Sequence, residues 1–170
     1  MTKLYLVRHG ETIDNAAQRM QGQTPGCLNE TGIKQAQAVA ERMKSEHIDV
    51  FVSSDLHRSE QTCRIIAAPH GLSIVTTPLL RERDWGSFTG KYIPSLPHDS
   101  SEWPSDIESL QSMKSRAQNF LTWIRITYPN KTVLAVGHGI INKAVQSVYY
   151  HRPMNEIAKM DNAEVRTLLL

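Results

Sequence analysis

Leu6-Val7-Arg8-His9-Gly10-Glu11-Thr12 closes a short apolar run that begins at Leu4, and Ala135-Val136-Gly137-His138-Gly139 closes another that begins at Thr132. Apolar runs of this length, bounded by glycine, read as buried strands. Each ends in a histidine next to glycine, and Arg8 directly precedes the first. Working outward, the periodicity alternates between strand and helix. Thr31 to Lys44 places Ile33, Ala36, Ala40 and Met43 on one helical face. Asp49 to Val52 reads as a strand. From Asp55, the positions Leu56, Cys63, Ile66 and Ala67 form a helical stripe that Pro69-His70-Gly71 stops. Ser73 to Thr76 is a third strand. Ser105-Asp106-Ile107-Glu108 has capping-box spacing, which predicts a long helix with Ser105 as its N-cap. Its apolar positions run Ile107, Leu110, Met113, Ala117, Phe120 and Ile124, and Tyr128-Pro129 ends it. Ile140, Ala144, Val145 and Val148 mark a further helix, and Val165 to Leu170 a last strand.

Strands alternating with helices predict an α/β fold, a three-layer sandwich with a mostly parallel central sheet flanked by helices. In such sheets ligands bind outside the carboxyl ends of the strands. Arg8-His9, Ser53-Ser54 and Gly137-His138 all fall at that edge, and Arg58 follows shortly after the second. The chain of 170 residues suggests a single domain spanning 1–170. Residues 83–104 break the alternation with two tryptophans and three prolines, and read as a small loop cap over the site.

Composition narrows the function classes. At 40% hydrophobic and 21% charged the chain is ordinary for a soluble globular protein, and its net charge of +2 argues for neither nucleic acid nor a membrane surface. No apolar run approaches the ~20 residues of a membrane span. The opening segment reaches Arg8 too soon for a signal peptide, so a cytoplasmic location is the default expectation. Cys27 and Cys63 have no metal-ligand or redox spacing and read as two reduced thiols. Neither a metal nor a cofactor is expected. Oligomeric state is not legible.

Two imidazoles and two guanidiniums at strand ends suit one chemistry, attack on a phosphoryl group. Phosphoryl transfer depends on positioning and on neutralising the equatorial oxygens. Arg8 and Arg58 can do this through bidentate, charge-assisted hydrogen bonds. A neutral imidazole can form a covalent phosphohistidine and split one difficult step into two. His9, flanked by arginines that disfavour its cationic form, is the candidate nucleophile. His138 is the candidate donor to the transferring oxygens. Gly139 would bring a backbone N–H to the anion at a helix N-terminus. Glu82, after the third strand, is the candidate proton donor to the leaving oxygen. The expected partner is a small-molecule phosphate ester.

These motifs resemble the histidine phosphatase superfamily, the phosphoglycerate mutase-like enzymes, over nearly the whole chain. Its Arg-His-Gly-x-Thr-x-x-Asn appears as Arg8 to Asn15, its Gln-Gly pair as Gln21-Gly22, and its Ser-x-Leu-x-Arg element begins at Ser54. The acid-bearing segment matches at Glu82 and Gly86, and Glu-Ser-Leu at Glu108 to Leu110. The resemblance implies a phosphoglycerate mutase-like fold, with His9 as the phosphorylated residue. It implies Arg8, Arg58 and His138 as phosphate ligands, Glu82 as proton donor, and substrate contacts from Asn15, Gln21 and Gly22. Asn29 stands where the family usually has threonine, and Phe88-Thr89-Gly90 where it often has Trp-Glu-Gly. The cofactor-dependent mutases of the family are longer, so the short cap resembles the phosphatase branch. The leading expectation is therefore a metal-independent phosphomonoesterase. The alternatives are a phosphoglycerate mutase-type phosphotransferase and a non-catalytic phosphate-ligand binding protein.

Overall fold

A computed structural model describes all residues 1–170. Five strands alternate with helices: β1 Lys3–Arg8, α1 Ile13–Ala16, α2 Glu30–Met43, β2 Val50–Ser54, α3 His57–Ala67, β3 Ile74–Thr77, α4 Leu110–Thr127, β4 Thr132–Gly137, α5 Gly139–Tyr150 and β5 Val165–Leu169. The strands form one sheet in the order β3-β2-β4-β1-β5. β1, β2, β3 and β4 pair in parallel, and β5 runs antiparallel to β1 at one edge.

The three-layer arrangement follows from strand alternation. Successive side chains of a strand point to opposite faces. Leu4 and Leu6 of β1 enter one core with Val133 and Ala135 of β4, closed by Met113, Phe120 and Ile124 of α4 and Ile141 and Val145 of α5. Tyr5 and Val7 enter the other with Leu134 and Val136, closed by Val39 and Met43 of α2 and Cys63 and Ile66 of α3. A sheet covered on both faces has apolar residues at every position of its central strands, which is why β1 and β4 read as continuous apolar runs.

Register places the site. Arg8 at the end of β1 lies opposite Gly137 at the end of β4, and Ser53 of β2 lies opposite Val136. The strand ends that carry Arg8-His9, Ser54 and Gly137-His138 are therefore neighbours at one sheet edge.

Two local expectations are corrected. The long helix begins at Leu110, with Ser109 as its N-cap accepting from the Ser112 N–H, and Ser105 does not cap it. Glu108 is not available for a capping box at Ser105. Its carboxylate accepts from the Asp84 N–H, the Ser112 hydroxyl and Arg116. A short helix the periodicity missed, α1, opens with a capping box between Thr12 and Asn15. Residues 83–104, expected as a loop excursion, carry three single 3₁₀ turns. Trp85 and Phe88 stack edge-on against Trp103, with ring centroids 5.3 and 6.1 Å apart. Backbone hydrogen bonds from Met20 to Lys91, Gly90 to Met20 and Ile93 to Gln18 fasten this segment to the chain after α1.

Candidate active site

A cavity of about 220 Å³ opens at the carboxyl edge of β1 and β4. Arg8, His9, Asn15, Gln21, Gly22, Arg58, Glu82 and Gly139 all line it, so eight of the nine residues expected from sequence meet there. The ninth, His138, is fully buried behind the wall and packs edge-on against His9, ring centroids 5.0 Å apart.

His9 follows β1 directly, and its position is locked through the backbone. Its N–H donates to the Gly137 carbonyl, and its own carbonyl accepts from Ala163 N–H and the Asn162 side chain. Close packing after it requires glycine. A Cβ on Gly32 would collide with the Glu11 carbonyl, so only glycine at the start of α2 lets the segment after His9 lie against that helix. The His9 ring is 3% exposed, and its Nδ1 lies 2.7 Å from the Gly10 carbonyl. A carbonyl only accepts, so Nδ1 carries the proton and Nε2 keeps its lone pair. Burial, and then Arg58 and Arg8, push the His9 pKa down to about 3, so the ring is neutral.

His138 is held through its other ring nitrogen. Its Nε2 is 2.9 Å from the Ser54 hydroxyl. That hydroxyl already accepts from the Leu56 N–H, and Nε2 is the acceptor available to its proton. Ser54 therefore donates to Nε2, which leaves the proton of the neutral ring on Nδ1. Burial first, then Arg58, His9 and Arg8, hold the His138 pKa well below the ordinary value. One imidazole thus offers a lone pair and the other an N–H.

The two guanidiniums are held by carbonyls. Arg8 Nη1 donates to Met160 O at 2.8 Å. Arg58, 1% exposed in the first turn of α3, donates to Thr24 O at 2.6 Å and Gly22 O at 2.8 Å. Burial lowers the pKa of both, Arg58 to about 10, and both stay charged at neutral pH. Five buried side-chain nitrogen or oxygen atoms in the chain lack a partner, and three of them are Arg8 Nε, Arg58 Nε and His138 Nδ1. Orphaned buried donors are costly, and an oxyanion in the cavity satisfies donors of this kind.

Asn15 and Gln21 spend their side-chain oxygens on the local frame, accepting from the Thr12 N–H and the Thr12 hydroxyl. Their amide N–H₂ groups remain uncommitted at the cavity. Glu82 is half-buried and fastened by three backbone N–H groups, from Arg83 at 2.9 Å and from Ile140 and Ile141 at 3.1 Å each. Of the N–H groups at the N-terminus of α5, the Glu82 carboxylate takes those of Ile140 and Ile141 and does not take that of Gly139. Nor does the site require glycine at 139, since a Cβ there would make only ordinary contact with Arg8 at 3.5 Å. The glycine that matters is Gly137, whose Cβ would land on Asn142 Oδ1. The backbone bearing Glu82 is tied in turn to α4. Arg116 donates to the carbonyls of Leu79, Arg81 and Glu82 and pairs with Glu108 at 2.9 Å.

A family model described as histidine phosphatase superfamily (branch 1) matches residues 4–170. The chain belongs to that superfamily. Among its curated relatives, a probable phosphoglycerate mutase, GpmB of Yersinia pestis (strain Pestoides F), is 48% identical over 103 residues. That match covers 61% of this chain and 48% of the relative, so the chain spans about half the length of the curated relatives it matches. Solved structures agree over nearly the whole chain. A phosphoserine phosphatase variant from Entamoeba histolytica, in complex with phosphoserine, superposes with a TM-score of 0.87 at 27% identity, covering 99% of this chain and 91% of that one. A mycobacterial glucosyl-3-phosphoglycerate phosphatase gives 0.89 at 28% identity, covering 98% and 92%.

Several residues of this site escaped sequence reasoning. Ser54 was placed at the sheet edge without its role of orienting His138. Met160 and Asn162 come from an irregular segment with no periodic signal. Trp85 packs against Trp103 and also walls the cavity, which Met20, Ile93, Arg19, Lys143 and Lys159 complete. A smaller apolar cavity of about 200 Å³, with Leu96 and Trp103 in its wall, shares Met20, Trp85 and Ile93 with it.

Proposed function

We propose that the chain is a phosphomonoesterase that hydrolyses a small phosphorylated metabolite through a phosphohistidine on His9. The Nε2 lone pair left open on His9, beside the unpartnered Nδ1–H of His138, carries this reading. His9 Nε2 attacks phosphorus, the bond to the ester oxygen breaks, and phosphate is transferred to the ring. Arg8, Arg58 and the Nδ1–H of His138 donate to the equatorial oxygens, where removal of one donor typically costs about 3–4 kcal/mol of barrier. Glu82 accepts only one hydrogen bond on Oε2, which leaves that oxygen a lone pair for a proton. From there it protonates the leaving alkoxide, and then takes a proton from the water that attacks phosphohistidine. Inorganic phosphate leaves and His9 returns neutral. Asn15, Gln21, Gly22 and Gly139 line the space for the ester. Residues 1–170 act as one domain, with 83–104 as its cap. The phosphatases similar in structure at 27–28% identity support hydrolysis.

Phosphate release from p-nitrophenyl phosphate tests the reading. His9→Ala is expected to remove at least about 10³-fold of the rate, and EDTA to leave it unchanged. A His9→Ala enzyme as fast as the parent would exclude covalent catalysis at this residue. The mutase reading is favoured by the 48% identity to the probable phosphoglycerate mutase. It requires a bisphosphorylated primer, so measuring phosphate release and phosphoglycerate isomerisation with and without 2,3-bisphosphoglycerate separates the two.

A further inference from the structure

The charge in the cavity exceeds what one phosphate needs. Arg8, Arg19, Arg58, Lys143 and Lys159 line it against a single carboxylate, Glu82, in a chain whose net charge is only +2. Arg8 and Arg58 suffice for a phosphoryl dianion, and Glu82 is already met by three N–H groups. Apart from Glu82, the acidic residues that act on the guanidiniums, Asp161 and Glu164 on Arg8 and Asp14 on Arg58, do not line the cavity.

Lys143 stands out among the surplus. It is the one charged residue of α5, half-buried, and no carboxylate lies within ion-pair distance of it. It sits just past the first turn, at the end of a helix where cations are disfavoured. Burying an ammonium beside a neutral substrate would strip its water without compensation. Arg19 and Lys159 are exposed on the same rim, Arg19 with its guanidinium 5.8 Å from the Tyr92 ring.

Resting on the phosphatase reading above, we infer that Lys143, with Arg19 and Lys159 on the rim, forms a subsite for a second anionic group on the substrate's alcohol portion. The spacing limits its length. Lys143 is four residues beyond Gly139, which abuts the Arg8 guanidinium, and four residues of helix rise about 6 Å. The favoured substrates are short acidic phosphomonoesters, with a few atoms between the phosphoryl group and a carboxylate or second phosphate.

The experiment compares 3-phosphoglycerate with its methyl ester, which removes the second charge and keeps the leaving group. A three-carbon bisphosphate distinguishes a second phosphoryl group from a carboxylate. The parent enzyme is expected to prefer 3-phosphoglycerate over the ester by about tenfold or more in kcat/KM, expressed in KM. Lys143→Gln is expected to erase most of that preference, Lys143→Glu to reverse it, and Arg19→Gln to reduce it. Equal handling of acid and ester by the parent would overturn the subsite. So would a Lys143→Gln loss of the same size on both. If no ester is hydrolysed, the phosphatase reading fails by itself. The subsite is then decided by titration calorimetry on the His9→Ala protein. A lower Kd for 3-phosphoglycerate than for its methyl ester, lost in His9→Ala/Lys143→Gln, supports it, and equal Kd values overturn it.

Discussion

His9 and His138 are the same residue type in the same kind of place, a strand end next to glycine, and one hydrogen bond apiece separates their chemistry. The Gly10 carbonyl takes the Nδ1–H of His9 and leaves its Nε2 lone pair, whereas the Ser54 hydroxyl takes the Nε2 lone pair of His138 and leaves its Nδ1–H. Glu82 belongs to the same set, because its role depends on which oxygen is left unoccupied. If Oε2 delivers the proton, Glu82→Gln loses about 10²-fold or more on an alkyl phosphate. The loss on p-nitrophenyl phosphate is expected to be far smaller, since that leaving group hardly needs a proton. Rates measured on both substrates decide the matter, and equal losses would remove Glu82 from the acid role.

The segment from Glu82 to α4 shows how elements position that carboxylate. Arg116 on α4 gathers three carbonyls of the turn after β3, and Glu108 holds Arg116 in place. Hydrogen bonds from Arg116, the Asp84 N–H and Ser112 outweigh the burial that would raise the Glu108 pKa, and keep it lowered. Two serines near the start of α4 give opposite expectations. Ser109→Ala removes the cap of α4 and is expected to cost about 1 kcal/mol in urea denaturation. Ser105→Ala, in an exposed turn, is expected to change stability by less than about 0.5 kcal/mol. The reverse order would restore Ser105 as the cap. Capping-box spacing occurs only at Ser105-x-x-Glu108 along this stretch, since Ser112 stands three residues after Ser109, and it fails because Glu108 is committed to Arg116, a partner eight residues away.

Burying two neutral imidazoles makes the stability of the folded chain depend on pH. Both histidines titrate in the native protein far below the ordinary value of about 6.5 that they regain on unfolding. Between about pH 3 and 6.5 the unfolded chain therefore binds more protons than the native one, and stability rises with pH. The contribution is complete above about pH 6.5 and is lost as the solution is acidified. Each group adds a slope of up to about 1.4 kcal/mol per pH unit. Urea midpoints are expected to fall from pH 7 to pH 5, ahead of carboxylate protonation, and to fall less steeply in His138→Asn. A flat profile over that window would mean the rings are charged or solvated in the native state. No helix is long and apolar enough to cross a membrane.

The sequence alone determined the layered α/β fold and the strand ends that carry His9 and His138, because burial on both faces makes strand runs apolar and glycines mark where backbones approach. It also singled out histidines, arginines and a glutamate that come together at one cavity, though not Arg19, Lys143 or Lys159, which line it too. Only the tertiary structure decided which nitrogen of each imidazole is left open, that Glu82 takes the Ile140 and Ile141 N–H groups at the start of α5, and that Lys143 faces the cavity without a counter-charge. Those properties depend on partners such as Ser54, Ile140 and Arg116, which lie tens of residues from the groups they act on. Pattern reading finds neighbours along a strand or helix, and these contacts exist only once the sheet and its helices have closed.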